Sequence, residues 1–217
     1  PERTPGLVLA GGAIVALVTD HDQGHSELWR EVRPWRSSIT VAGWVTDGLR
    51  ELAATDDGGI ALDAPRDEEA TGRLLRIDGR GRRRVVASAT GMSELAVDGD
   101  QVAYRAGDAI WRVRGAAAPA RAVTVGEELV LGLVLTGDTF YWSDSQGVRT
   151  ATAGGSPRTF FDDPETGYGG SGRPDANLLV DGKTVYFSQL GWGGDGIQRV
   201  VDTTTAQLLY EPPGEAW

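Results

Sequence analysis

Cysteine is absent from this chain, so disulfide bonds, thiol catalysis and thiolate metal sites are all excluded. Helix signals are almost absent as well: the best candidate, residues 44–54, is short, and we interpret it as a turn or as the entry into the second repeat. No run approaches the roughly 18–20 apolar residues of a membrane-spanning helix. Leu7 to Val18 is apolar but follows no basic leader, so we do not interpret it as a signal peptide.

Positive charge is also scarce. The chain has 21 Lys and Arg against 31 Asp and Glu, a formal net charge of −10. An acidic surface disfavours nucleic acid as a partner, because phosphate binding requires basic surface. The one basic cluster runs from Arg80 to Arg84 beside a predicted hairpin turn, and we interpret it as solvated.

A short pattern occurs five times: an apolar run, a turn, and a second apolar or aromatic run. The clearest copies are Leu95 to Tyr104, Leu133 to Trp142 and Leu178 to Phe187. The turn positions of the five copies are separated by 46, 42, 38 and 45 residues, which matches the period of a four-stranded propeller blade. The shared turn positions are Gly11, Asp57, Gly99, Gly137 and Gly182.

Each copy continues into two further short runs, so every unit offers four strands in sequence order. The third run follows an apolar–any–Arg–apolar pattern in 74–77, 110–113 and 197–200. The sequence therefore predicts an all-β fold: a β-propeller of about five four-stranded blades, either complete or part of a larger propeller. We predict a single domain over 1–217. Its predicted blades are 6–43, 44–90, 91–126, 127–172 and 173–217.

Three aromatic residues end the second strand of their units: Tyr104, Trp142 and Phe187. We predict that they fill the space between adjacent blades, as core residues rather than ligand contacts.

Both histidines of the chain lie between Asp20 and His25. Asp20, Asp22 and His25 could bind a metal ion, with Ca²⁺ as one candidate, although the pattern fails later positions of a helix–loop–helix calcium site. The alternative is a polar loop, and we predict no resident cofactor.

Two insertions and the Asp20 loop occur at the same place, between the second and third strands of their units. We predict that these connections emerge on one face and form the functional surface. A further long segment, 162–175, joins the last two units and is either a linker or a binding loop. The predicted binding residues are Trp192, Asp195, Asp67, Glu68 and Tyr168.

Catalytic patterns are weak. No Ser-His-Asp order and no Gly-x-Ser-x-Gly motif stands out. A glycosidase would need paired carboxylates, for which Glu94, Asp98 and Asp181 are the candidates. Turn chemistry alone explains an Asp before a turn Gly, however.

The segment Tyr141-Trp-Ser-Asp144 resembles the repeat of YWTD-type propellers. Ala153 to Thr159 and Ile197 to Val200 are similar to later parts of the repeats of bacterial exported propeller proteins. The resemblance implies a binding or scaffold module outside the cytoplasm and brings no catalytic residues with it.

We therefore predict a non-enzymatic, extracytoplasmic scaffold or accessory subunit that binds a protein partner. A carbohydrate-binding module that uses Trp192 is the alternative, and a glycosidase-like five-bladed enzyme is a further one.

Overall fold

The computed structural model consists of β-strands and turns in the residues that it describes. These residues are 5–10, 13–20, 25–32, 37–40, 49–55, 58–63, 70–78, 82–126, 130–144, 147–162, 173–190 and 196–210. None of them forms a helix that is long and apolar enough to cross a membrane.

Twenty strands form five four-stranded sheets, each in sequence order from its first to its fourth strand. The first sheet contains β1 (Pro5–Ala10), β2 (Ala13–Asp20), β3 (His25–Val32) and β4 (Ser37–Thr40). The second contains β5 (Leu49–Thr55), β6 (Gly58–Asp63), β7 (Thr71–Asp78) and β8 (Arg83–Thr90). The third contains β9 (Met92–Asp98), β10 (Gln101–Ala106), β11 (Ala109–Arg114) and β12 (Ala120–Thr124). The fourth contains β13 (Gly132–Thr136), β14 (Thr139–Ser143), β15 (Gly147–Thr152) and β16 (Arg158–Asp162). The fifth contains β17 (Arg173–Asp181), β18 (Thr184–Leu190), β19 (Gly196–Val200) and β20 (Ala206–Tyr210).

Residues 44–54 were the best helix candidate in the sequence. The described part of this segment is a strand, since Leu49–Thr55 forms β5. The interpretation of this segment as an entry into the second repeat fits that strand. The strands of each sheet fall within one predicted blade range, except that β1 begins one residue before the first; the blade bounds themselves stay a prediction. The treatment of 1–217 as one domain stays a prediction, since the chain divides into two compact units. One unit is Pro1–Gly107 with Trp111–Ala120, and the other is Asp108–Ile110 with Arg121–Trp217.

The turn residues explain the repeated hairpins. Asp98 pairs with Gln101 across a two-residue connection, and Asp181 pairs with Thr184 in the same way. The first residue of each connection is a glycine with positive φ, +59° at Gly99, which a tight hairpin requires. Asp98 and Asp181 are therefore the last strand residues before their hairpin turns, where turn chemistry alone accounts for an Asp.

A cluster of apolar side chains packs the second sheet against the third within the first unit. From the second sheet it contains Ile60, Leu62, Leu74 and Ala87, and from the third Met92, Val102, Tyr104 and Val113. A corresponding cluster in the second unit packs the fourth sheet against the fifth. We call the side of a sheet that packs on the next sheet in the chain its following face, and the opposite side its preceding face.

The predicted aromatic core residues are buried: Tyr104, Trp142 and Phe187 are each 2% exposed. Tyr104 lies in the cluster between the second and third sheets, and Phe187 in that between the fourth and fifth. The Phe187 ring lies 5.4 Å from the Phe161 ring across this second interface. The prediction that these residues are core is confirmed.

Candidate functional site

The predicted functional surface consists of the connections between the second and third strands of three sheets. Asp20 ends β2 and His25 begins β3, and their backbones pair directly. They flank the connection 21–24, so the Asp20 loop occupies the place that the repeat predicts. Asp22 lies outside the described residues, and the metal site of Asp20, Asp22 and His25 stays a prediction.

The other predicted binding residues also lie outside the described residues. The chain order nevertheless locates their connections. Asp67 and Glu68 lie between β6 and β7, Trp192 and Asp195 lie between β18 and β19, and Tyr168 lies between β16 and β17. Two of the three connections thus join a second strand to a third, as predicted, and their binding roles remain predictions.

An ion pair between a buried carboxylate and a half-exposed guanidinium fixes the base of the connection between β6 and β7. Asp63 is the last residue of β6 and is 4% exposed. Its Oδ2 accepts a hydrogen bond from Nη2 of Arg73 at 2.7 Å, and the two residues are directly paired across the strands. A buried carboxylate is stable only when it is paired, so this contact holds the two strand ends together.

A larger network holds the corresponding connection of the fourth sheet. Asp144 follows β14 and is 1% exposed. Its Oδ1 accepts a hydrogen bond from the Gly147 amide at 3.0 Å, and its own amide donates to the Gly147 carbonyl at 3.0 Å. Its Oδ2 accepts from Nε of Arg149 at 2.8 Å. The Asp144 carboxylate therefore closes the turn, and the Arg149 guanidinium balances its negative charge.

Arg149 joins this turn to the outermost strand of the same sheet. Its Nη1 donates to Oγ1 of Thr159 at 2.8 Å and to Oδ1 of Asp162 at 2.9 Å. Burial by itself lowers the pKa of the Arg149 guanidinium, but its hydrogen bonds to Asp144 and Asp162 and their negative charges raise it above the ordinary value. Arg149 is thus a permanent cation here, and it connects β15 to β16 beside the turn.

Asp63 and Asp144 occupy the same position of the repeat. Leu52 pairs with Ala61 and Leu133 pairs with Trp142, and each Asp lies two residues beyond that pair. The Arg partners come from different positions on the third strand. Two sheets therefore share the same arrangement: a buried carboxylate at the end of the second strand is paired with an Arg of the third strand.

The sequence analysis did not identify these ion pairs. Asp144 was included only as the last residue of the Tyr141–Asp144 motif, and Arg149 as part of a loose third-strand pattern. The usable signal is an Asp at the end of the second strand followed by an Arg at the start of the third. Sequence alone does not show that either Asp is buried.

Neither ion pair resembles a metal centre. The described part of the chain contains no group of three His, Cys, Asp or Glu residues that could hold a metal ion. The charges of Asp63 and Asp144 are already balanced by guanidinium groups. Their arrangement suits rigid support of a loop rather than ion binding or proton transfer.

The glycosidase candidates lie elsewhere. Glu94 belongs to the first strand of the third sheet and has a φ of +51°. It is the extra residue of a β-bulge, because Tyr104 pairs with Leu95 and Arg105 pairs with Ser93. The Leu95 amide beside it donates to Oε2 of Glu51 at 2.8 Å, which ties the first strands of the second and third sheets together.

No protein-family model matches the sequence, and no curated protein matches it. Solved structures match by fold. The chain aligns with a prolyl endopeptidase at 16% identity and a TM-score of 0.64, over 98% of this chain and 36% of the other. It aligns with TolB from Acinetobacter baumannii at 16% identity and a TM-score of 0.62, over 94% of this chain and 54% of TolB. AztD from Citrobacter koseri aligns at 12% identity and a TM-score of 0.56, over 96% and 61%.

These matches define the class of fold. TolB is a β-propeller, and the peptidase matches include propeller domains. The chain is accordingly an all-β protein of the β-propeller class, built from four-stranded antiparallel sheets, as its repeat predicts. It spans about a third to a half of the prolyl endopeptidase and TolB chains. At these identities the likeness concerns the fold alone.

Proposed function

We propose that this chain is a non-enzymatic β-propeller module that binds another protein, as a scaffold or accessory subunit of an extracytoplasmic assembly. The binding surface is the edge of the second sheet that carries the connection between β6 and β7. Extracytoplasmic location is part of the proposal and is supported by the repeat resemblance of residues 141–144.

The observation that carries the proposal is the pairing of a buried carboxylate with an Arg at the base of this connection, an arrangement that the fourth sheet repeats. Asp63–Arg73 and Asp144–Arg149 fix the ends of second and third strands in two sheets. A connection whose two ends are held in this way is presented on a rigid base, which lowers the entropy lost when a partner binds. Because both carboxylates are bonded to guanidinium groups of their own sheets, the arrangement supports rigid presentation of a binding loop.

Charge favours a particular kind of partner. The connection between β6 and β7 contains Asp67, Glu68 and Glu69 in sequence against a single Arg66, and the whole chain has a net charge of −10. Charge complementarity accelerates encounter and selects partners. We therefore expect the partner to offer a basic protein surface at this edge.

The test is a binding comparison of variants with matched charge changes. The protein is purified with its partner from the native source, and the partner is identified by mass spectrometry and then prepared separately. We expect an Asp67→Lys variant to weaken binding at least about tenfold, because it reverses a charge at the proposed edge. The control is Asp100→Lys, an exposed turn residue at a connection between first and second strands, which should leave affinity within about twofold.

Two results would contradict the proposal. If the protein purifies from its native source without a stoichiometric partner, the proposal loses its basis. Equal weakening by Asp100→Lys would show that net charge, not this edge, governs binding. Glycan binding that is lost in Trp192→Ala, or turnover of aryl glycosides, would favour the carbohydrate-binding or glycosidase alternatives instead.

A further inference from the structure

Two arginines lie directly opposite each other on neighbouring strands of the second sheet. Arg76 of β7 pairs with Arg84 of β8. Directly opposite side chains of an antiparallel pair have Cβ atoms about 4.5–5.5 Å apart, and like charges at such positions destabilise the sheet. The two side chains therefore repel each other, and neither can neutralise the other.

A bulge in the fourth strand allows this position to be compared between three sheets. The bulge residues are Val86, Phe160 and Leu209. Counted from the bulge, the second residue pair is the one that contains Arg76 in the second sheet. The three pairs at this position are Arg76–Arg84, Thr150–Arg158 and Arg199–Gln207.

The other two sheets avoid a repulsion at this position. The fourth sheet places one cation, Arg158, opposite the neutral Thr150. In the fifth sheet Nη2 of Arg199 donates a hydrogen bond to Oε1 of Gln207, which is an acceptor and carries no charge. Of these three sheets, the second is the one that sets two cations side by side.

The surroundings leave the guanidinium of Arg84 available to a ligand. Arg84 is exposed, and none of the described residues forms an ion pair or a hydrogen bond with this side chain. Arg76 is half-buried, and its Nη2 donates to the carbonyl oxygen of Asp100 in the third sheet at 3.4 Å. The carboxylate of the hairpin belongs to Asp78, and both of its oxygens accept hydrogen bonds from Arg82.

The position of the pair is fixed inside the first compact unit. Arg76 pairs with Ile60, which packs against the third sheet, so Arg76 and Arg84 lie on the following face of the second sheet. The apolar cluster between these two sheets consists of residues of the first unit. β8 is the outermost strand of its sheet, which places Arg84 at the edge of this interface.

We propose that Arg76 and Arg84 bind a dianionic phosphate group. A phosphate monoester has a charge of about −1.5 to −2 at pH 7 and three strong acceptor oxygens, and guanidinium groups form paired hydrogen bonds to such oxygens. One phosphate group therefore accepts from both arginines and removes their repulsion, whereas a single carboxylate balances only one of them. Because the net charge of −10 disfavours nucleic acid, the phosphate is that of a small molecule.

This site is separate from the proposed protein-binding edge. Arg76 and Arg84 lie near the connection between β7 and β8, at the opposite end of β7 from the connection between β6 and β7. The phosphate proposal therefore does not rest on the proposed function. The sequence analysis interpreted the basic residues from Arg80 to Arg84 as solvated, since the sequence did not show that Arg76 lies opposite Arg84.

NMR titration of the labelled protein with inorganic phosphate, at constant ionic strength, tests the proposal. We expect saturable shifts of the Nε–H signals of Arg76 and Arg84, with a Kd of about 1–10 mM. Arg84→Gln, which reproduces the Arg–Gln pair of the fifth sheet, should raise this Kd at least about tenfold. Arg158→Gln removes an exposed cation at the same position of the fourth sheet and should leave the Kd within about twofold. The absence of saturable shifts at the two arginines, or equal weakening by both variants, overturns the proposal.

Glycerol 3-phosphate distinguishes two sources of the phosphate group. If the ester binds at least as tightly as inorganic phosphate, the site accepts phosphate esters. If the ester binds at least about tenfold more weakly, the site is one for the free ion.

Thermal unfolding gives a second measurement. A ligand that binds the folded state raises the Tm, and at ten times its Kd phosphate should raise the Tm of the wild type by about 3–6 °C more than that of Arg84→Gln. The general stabilising effect of phosphate acts on both proteins and cancels in this comparison. Equal rises in the two proteins would show that the arginine pair binds no phosphate.

Discussion

Arg149 is a largely buried cation that is bonded to two carboxylates. Its side chain is 12% exposed, and it faces Asp144, whose side chain is 1% exposed. Because a buried charge that loses its partner remains desolvated, removal of one partner costs far more than the net value of the pair. This asymmetry separates Arg149 from the exposed ion pairs on the same protein.

We expect Arg149→Met to lower the free energy of unfolding by about 3–5 kcal/mol. The exposed pair Arg82–Asp78, with side chains 74% and 35% exposed, provides the control. Arg82→Met should cost less than about 1 kcal/mol, because solvent screens that pair. Urea unfolding of the three proteins measures both values, and similar losses for the two variants would show that Arg149 is not a structural anchor.

Ser143 places a hydroxyl where the second sheet has a hydrocarbon side chain. Ser143 is fully buried, and its Oγ has no hydrogen-bond partner. The equivalent residue of the second sheet is Leu62, a core residue. An unsatisfied buried polar group costs roughly 1–3 kcal/mol, so Ser143→Ala should raise the free energy of unfolding by about 1 kcal/mol. Ser88→Ala, at an exposed position of β8, should change it little, and a loss of stability in Ser143→Ala would contradict the expectation.

The buried phenol of Tyr104 makes the free energy of unfolding depend on pH in the alkaline range. Burial raises the pKa of its phenol above the ordinary value of 10.0, because the folded core disfavours the phenolate. When the pKa of a group is higher in the folded than in the unfolded state, its full contribution to stability is present below the unfolded-state pKa. That contribution is lost as the pH rises through the folded-state pKa. We expect stability to fall above pH 10.0 in the wild type and to fall less steeply in Tyr104→Phe. Unfolding midpoints across that pH range test this, and identical slopes would contradict it.

The hairpin of β14 and β15 depends on a glycine that no other residue can replace at low cost. Gly147 has a φ of +152°, and a Cβ there would lie 2.2 Å from the Phe161 carbonyl oxygen. The same residue bonds to Asp144 through both its amide and its carbonyl. The backbone therefore approaches the fourth strand closely at the point where the connection from β14 to β15 ends.

We expect Gly147→Ala to lower the free energy of unfolding by about 3 kcal/mol, from strain and displaced backbone. Gly137→Ala is the matched control: its φ is +58°, but nothing lies within 4 Å of the added methyl. That change should cost only about 1–2 kcal/mol, the strain of a left-handed residue. If both variants lose the same amount, the contact with Phe161 is not what makes glycine necessary.

Much of the strand order was predictable because it depends on local chemistry. Gly99 and Gly182 mark two-residue hairpins, and the apolar runs beside them predict strands directly. The aromatic core positions followed from the same repeat. The β-bulge at Phe160 and the burial of Asp144 were not predictable, since both depend on the packing of one sheet upon the next. The site residues in the connections remain predictions because they lie outside the described residues.

For the chain as a whole, the two apolar clusters suggest how stability is distributed. One cluster joins the second and third sheets, and the other joins the fourth and fifth. In repeat proteins each sheet depends mainly on its neighbours, so stability is a sum of local interfaces rather than a property of one central core. A cavity in one cluster should therefore weaken its own sheets more than distant ones.

We expect Phe187→Ala to destabilise its cluster by about 3–5 kcal/mol, through lost burial and the cavity that remains. Hydrogen exchange should then accelerate in β13–β20 while β5–β8 keep most of their protection. Ile60→Ala is the reciprocal variant and should reverse this pattern, with loss of protection in β5–β11. If either variant accelerates exchange equally in all these strands, the protein unfolds as one cooperative unit, and the description of stability as a sum of local interfaces is wrong.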